Sequence, residues 1–157
     1  MIRILLIIIA ISLLIGCSSS SPVPKYYTLN TIPTDKNTEI YSVKDSDIVF
    51  GIGPVEIPDY LDKPQIVTRT AENELMLSEF NLWGGSLKID VMRVLIENIS
   101  SLLAPKKITI ISWKTSVPEA YRIPIYLLRL DASANGSIFL KAKWGIVAKD
   151  GRTVVSI

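Results

Sequence analysis

Cys17 is the only cysteine in the 157-residue chain, and its setting assigns it a reaction. Leu14-Ile15-Gly16-Cys17 closes an apolar leader and precedes Ser18-Ser19-Ser20-Ser21. The run resembles a bacterial lipobox, at which the cysteine sulfur is diacylated, residues 1–16 are removed, and the new amino terminus is acylated in turn. The other candidates for chemistry are weaker. The chain has no histidine, which excludes histidine-dependent triads, HExxH zinc sites and imidazole acid–base catalysis. Glu72, Glu74 and Glu79 cluster along a short stretch, but acids spaced this way are far more often solvated surface groups than a catalytic pair. Gly51-Ile52-Gly53 lacks the third glycine of a dinucleotide fingerprint and sits inside a β-type run, and no phosphate-binding P-loop is present. No serine stands out as one half of a Ser-Lys dyad. The residues therefore point to no catalytic group, no metal ligand set and no cofactor, and the expectation is a protein that is not an enzyme.

The leader has the parts that processing requires: Arg3 and the starting amine form a positive n-region, Ile4 to Ile15 an apolar core broken only by Ser12, and Gly16 is the small residue before the cut. A membrane-spanning helix needs about 20 apolar residues, and this run is shorter. Acyl chains contribute about 0.8 kcal/mol per buried CH₂, so three of them on Cys17 anchor a protein where one would not. By similarity to bacterial lipoproteins generally, Ser18 rather than an aspartate after the cysteine directs the product to the outer membrane. With 17 basic and 15 acidic side chains the protein is near neutral, which argues against a nucleic-acid partner.

The elements that would carry a site follow from periodicity and turn chemistry. Residues 17–25 read as a polar, proline-ended tether, and one domain is expected over 26–157. Strands are expected at Tyr26–Leu29, Ile48–Ile57, Ile66–Thr70, Glu74–Glu79, Ile108–Trp113, Tyr121–Leu130 and Ile138–Ala148, with a last strand from Arg152 to Ile157. Asn30 to Asp47 reads as a surface loop. Gly51 and Gly53 suggest a bulge or a close backbone approach, and Pro124 an edge position or a bulge. Asn135-Gly136 and Asp150-Gly151 are turn signals; the Asn135-Gly136-Ser137 sequon is better explained by the turn. Leu82 to Leu103 carries a 3.6-residue apolar period and predicts one long helix, ended by Pro105. Leu140, Ala142, Trp144, Ile146 and Ala148 share one face of their strand, with Lys141, Lys143 and Val147 on the other. The fold class expected is α+β: a mainly antiparallel sheet with one long helix on a face.

Four residues stand out as candidate partner-binding groups. Tyr60 and Leu61 sit at the tip of the proline-bounded loop Pro58–Pro64, and Trp83 lies beside a glycine pair; each either tucks into the core or anchors an interface. Arg69 either pairs locally with Glu72 or Glu79 or serves an intersubunit contact.

From Gly51 to Thr70 the chain reads GIGPVEIPDYLDKPQIVTRT, followed by Asn73-Glu74-Leu75 and Trp83; Tyr26-Tyr27-Thr28-Leu29, Tyr121-Arg122-Ile123 and Leu140-Lys141-Ala142-Lys143-Trp144 add further matches. This pattern resembles the ABC-transport auxiliary lipoproteins of the PqiC type. Pro54, Pro58, Tyr60, Leu61, Pro64, Gln65, Arg69 and Trp83 match the family pattern. The resemblance implies a non-catalytic outer-membrane lipoprotein at the periplasmic face, homo-oligomeric, which supports envelope integrity. It would dock the periplasm-spanning mammalian-cell-entry (MCE) domain protein of an ABC lipid transporter. A carrier that encloses lipid between helix and sheet is the alternative. Family members continue past the strand near Arg152 into a further helix, so a shortened C-terminus, with apolar sheet left exposed, is also expected.

Overall fold

The computed structural model describes residues 22–33, 48–103, 108–133 and 135–157. The leader, Cys17, most of the expected loop over 30–47 and the helix stop at Pro105 lie outside the described residues. The elements are β1 (Lys25–Tyr27), β2 (Ile48–Glu56), β3 (Gln65–Ala71), β4 (Glu74–Trp83), α1 (Leu87–Leu103), β5 (Ile108–Ser112), β6 (Tyr121–Ser133), β7 (Ile138–Ala148) and β8 (Thr153–Ser156).

The α+β class holds, with one helix against one sheet, but the sheet is mixed. β3–β4, β6–β7 and β7–β8 pair antiparallel, whereas β1–β4, β2–β5, β2–β6 and β3–β6 pair parallel. Hairpins are legible as local turn signals; parallel pairs need long crossovers and leave no such mark. At 13 residues, β6 is long enough to receive β2 near its start and β3 at its end along one side, while β7 runs along the other.

The helix begins at Leu87 rather than Leu82, because Leu82 and Trp83 complete β4 and Gly84-Gly85 breaks the chain before Ser86. The Ser86 carbonyl accepts the first helical bond from the Asp90 N–H at 3.0 Å. Asp90 then accepts the Leu29 N–H at 2.7 Å, and Arg93 donates to the Leu29 carbonyl at 2.7 Å, which ties the segment after β1 to the helix. The backbone bond from Leu29, then the Arg93 guanidinium, hold the Asp90 carboxyl below the usual carboxylate range.

The core is Ile52, Val55, Leu61, Val67, Leu87, Val91, Ile110, Ile125 and Leu127. The register of β2 on β6 shifts between Ile52 and Val55, and the flanking pairs are Ile52↔Ile123 and Val55↔Ile125. Pro54 and Pro124 both fall in that interruption, where a missing N–H costs no ladder bond. Pro124 thus marks a bulge in a central strand and not an edge. Gly53 has φ of 118°, and a Cβ there would overlap the Trp113 indole. Gly53→Ala is expected to destabilise by about 1–3 kcal/mol or more through steric overlap and backbone strain, read as a lowered urea midpoint.

Candidate functional site

Three features of the β6–β7 half of the sheet lie together. The first is a charged cluster at the end of β6. Asp131 is 2% exposed, and two arginines close over its carboxylate. Arg129 Nε donates to Oδ1 at 2.9 Å and Arg129 Nη2 reaches the same oxygen at 2.9 Å; Arg69 Nε and Nη2 donate to Oδ2 at 3.1 and 3.0 Å. Burial pushes the Asp131 carboxyl up, but hydrogen bonds from Arg129 and Arg69, with their charges, outweigh it and hold the group below the usual carboxylate range. Its hydrogen bond to Asp131 raises Arg129 in turn. The Arg129 guanidinium also lies 4.7 Å over the Phe139 ring.

The second feature is the face around this cluster. Tyr126 pairs with Lys143, Arg129 with Lys141 and Asp131 with Phe139, so these side chains share one face. A register shift between Leu127 and Arg129 sets Leu128 and Arg129 together opposite Lys141. The face is cationic, with Tyr126 and Phe139 exposed on it, and its acid, Asp131, is already held by two arginines.

The third feature is on the opposite face: an apolar groove of about 470 Å³ between α1 and β6–β7. Val91, Val94, Leu95 and Ile99 line it from α1, Leu140, Ala142 and Trp144 from β7, and Leu29 also lines it. The groove is open, since Leu140 is 65% exposed. The expected packing of the β7 apolar face against the helix is therefore incomplete: its side chains point toward α1 without being covered.

The candidate residues divide between these features and the core. Leu61 is 2% exposed and belongs to the core, so within the described chain its contacts are those of the fold. Tyr60 packs against the same core, and its buried hydroxyl has no hydrogen-bond partner among the described residues. Trp83 is half-buried at the end of β4, and its backbone N–H donates to the Pro64 carbonyl at 2.7 Å, which pins the Pro58–Pro64 loop. Arg69 pairs with Asp131, 62 positions away, and not with the carboxylate of Glu72 or Glu79; from Glu72 it takes only the backbone carbonyl, at 2.9 Å. The parallel β3–β6 contact brings the pair together, with Thr68 opposite Ala132 and Arg69 opposite Ser133. Glu72, Glu74 and Glu79 are exposed. Among the described residues no group of three or more His, Cys, Asp or Glu is placed to hold a metal, and no helix is long and apolar enough to cross a membrane. Asp131, Arg129 and the bulge at Leu128 carry no mark in the sequence reading, which ends this strand at Leu130, whereas β6 runs on to Ser133 and takes Asp131 into the sheet.

One helix on a mixed sheet with this strand arrangement is an α+β fold found in solved structures. A crystallised protein of uncharacterised function superposes with a TM-score of 0.68 over 87% of this chain and 80% of its own, at 16% identity. A Xanthomonas campestris protein superposes with a TM-score of 0.62 over 85% of this chain and 74% of its own, at 14% identity. The chain belongs to the family of ABC-type transport auxiliary lipoprotein components, whose model matches residues 27–156. It is similar to the intermembrane transport lipoprotein PqiC of Escherichia coli, with 26% identity over 98 residues, 62% of this chain and 51% of that protein. PqiC of Shigella flexneri matches to the same extent. The chain thus spans about half the length of the curated relatives it matches.

Proposed function

We propose that this protein is a docking subunit of an ABC transporter for lipids, tethered to the outer membrane through acyl chains on Cys17, and that it has no enzymatic role. In this reading residues 1–16 are a signal peptide, 17–25 the lipidated tether and 26–157 the auxiliary domain. The protein sits at the periplasmic face as a homo-oligomer, receives the MCE-domain protein that reaches across the periplasm, and so supports envelope integrity. The observation that carries the reading is the family match over 27–156, joined to a cationic, aromatic-bearing sheet face suited to a protein partner. Tyr60 and Trp83 take part by fixing the Pro58–Pro64 loop, and Arg69 by holding Asp131 and Arg129 in place.

The 470 Å³ groove favours a second reading, a carrier that shelters a lipid chain, since its volume falls in the range of ligand sites, about 300–1,000 Å³. Purification of the lipidated chain from its own envelope in mild detergent, with mass spectrometry of proteins and lipids together, separates the two. An MCE-domain protein without stoichiometric lipid is the expected result. One phospholipid per chain and no such partner would replace docking with carriage.

A further inference from the structure

β1 is the outermost strand on its side of the sheet, and all three of its residues are exposed. Tyr26 is 68% exposed, and Val23, just before the strand, stands in water as well. Parallel pairing on β4 sets Tyr26 beside Leu82 on one face, with Lys25 beside Asn81 and Tyr27 beside Trp83 on the other. On that second face the Tyr27 hydroxyl donates to Asn81 Oδ1 at 3.0 Å. The margin thus presents an aromatic ring on each face and one lysine. No acidic residue occurs before Asp35, so the chain leading into β1 is cationic. A ring left in water on a three-residue strand adds nothing to the core. Tyrosine, apolar in body and polar at its tip, is favoured where an apolar layer meets water.

We propose that Val23, Lys25 and Tyr26 lie in the headgroup layer of the membrane that holds the acyl chains, so that the β1 margin meets the lipid edge-on. The inference rests on acylation of Cys17 and not on docking. Lys25 is the eighth residue after Cys17, and at about 3.3–3.6 Å per residue β1 stands no more than about 29 Å from the acylated residue. A flexible chain of that length averages only about 14–17 Å between its ends. Held so close, the margin meets lipid at an effective concentration in the millimolar range, so a weak contact suffices to keep it there. Lys25 answers the negative charge of phosphatidylglycerol, and Val23 and the Tyr26 ring enter the boundary between headgroups and acyl chains. A protein partner on the same residues would have to share that narrow space with the bilayer. β7 stands four strand spacings from β1, about 19 Å at about 4.8 Å each. Edge-on contact therefore holds the cationic face of β6–β7 clear of the lipid and open to a partner that reaches across the periplasm.

Cys17 is the only cysteine, so once it is acylated Tyr26→Cys supplies a single free thiol for a polarity-sensitive fluorophore. The labelled, acylated full chain is placed in vesicles of phosphatidylethanolamine and phosphatidylglycerol. A nitroxide on lipid headgroups is one quencher and iodide in the water the other. Lys141→Cys, labelled in the same way on β7, is the reference. Stronger nitroxide quenching at position 26 than at position 141 is expected. Adding Lys25→Gln should lower the ratio of lipid-bound to free margin about fivefold in these vesicles and leave it unchanged in vesicles of phosphatidylcholine alone. The proposal is overturned if the two positions are quenched alike, or if Lys25→Gln acts equally in both kinds of vesicle. It is overturned too if position 26 is shielded from both quenchers, which would place a protein surface, such as a second copy, over Tyr26. Intact mass spectrometry keeps the two questions apart. An unmodified Cys17 sinks the tether and this inference with it, whereas acylated protein with an unquenched label sinks only the contact with lipid.

Discussion

Asp131→Ala lowers stability by about 3–5 kcal/mol, because it strands two arginines that are folded around a carboxylate. The Asp131 side chain is 0% exposed, while those of Arg69 and Arg129 are 19% and 34% exposed. Removing the acid leaves Arg69 largely buried without its counter-charge, and it leaves Arg129 facing Lys141 with nothing to offset the repulsion. Asp131→Asn should cost less, since an amide oxygen still accepts one arginine. Urea unfolding of the three proteins side by side is the measurement; equal midpoints would mean that water replaces the carboxylate freely. The same group sets an acid limit. Its folded-state pKa lies below the ordinary value of about 3.9, so its contribution is complete above about pH 4 and is lost as pH falls through the folded value. Asp131→Ala should therefore lose stability at pH 7 and approach the parent protein under strongly acid conditions.

This triad also shows what could and could not be read along the chain. Hairpins were legible because their signals are local: Asn135 Oδ1 accepts the Ser137 N–H at 3.0 Å, and Gly136 has φ of 85°, as an asparagine–glycine turn leads one to expect. The close approach at Gly53 was legible for the same reason, since only glycine leaves room beside Trp113. The apolar period places the helix but starts it five residues early, because Leu82 and Trp83 continue that period while belonging to a strand. For Arg69 the sequence offers a local pair with Glu72 or Glu79 or an intersubunit contact, and neither includes Asp131, because the parallel β3–β6 contact that joins them leaves no local mark. The alternation in β7 reports which side chains turn inward, not whether anything meets them there; the expectation of exposed apolar sheet comes from the family resemblance instead.

Leu61→Ala is the substitution that separates fold from interface in the Pro58–Pro64 loop, and it should cost about 2–5 kcal/mol. Leu61 is 2% exposed and packs with the core cluster, so truncation leaves a cavity that the loop cannot close easily. Its conformation is fixed on both sides: the Leu61 N–H donates to the Pro58 carbonyl at 2.9 Å, and the Trp83 N–H holds Pro64. Tyr60→Phe, one residue away, should be neutral or slightly stabilising in the isolated chain, because the hydroxyl it removes is buried with no partner among the described residues. The pair gives opposite readings of the loop. If Leu61→Ala left stability unchanged while abolishing capture of the MCE-domain protein, the leucine would be an interface anchor and its burial incidental. If it destabilises the protein while Tyr60→Phe leaves both stability and capture unchanged, the leucine and the tyrosine ring build the platform that holds the loop. The second outcome is expected, since both side chains pack in the core and the tyrosine hydroxyl is buried away from any partner.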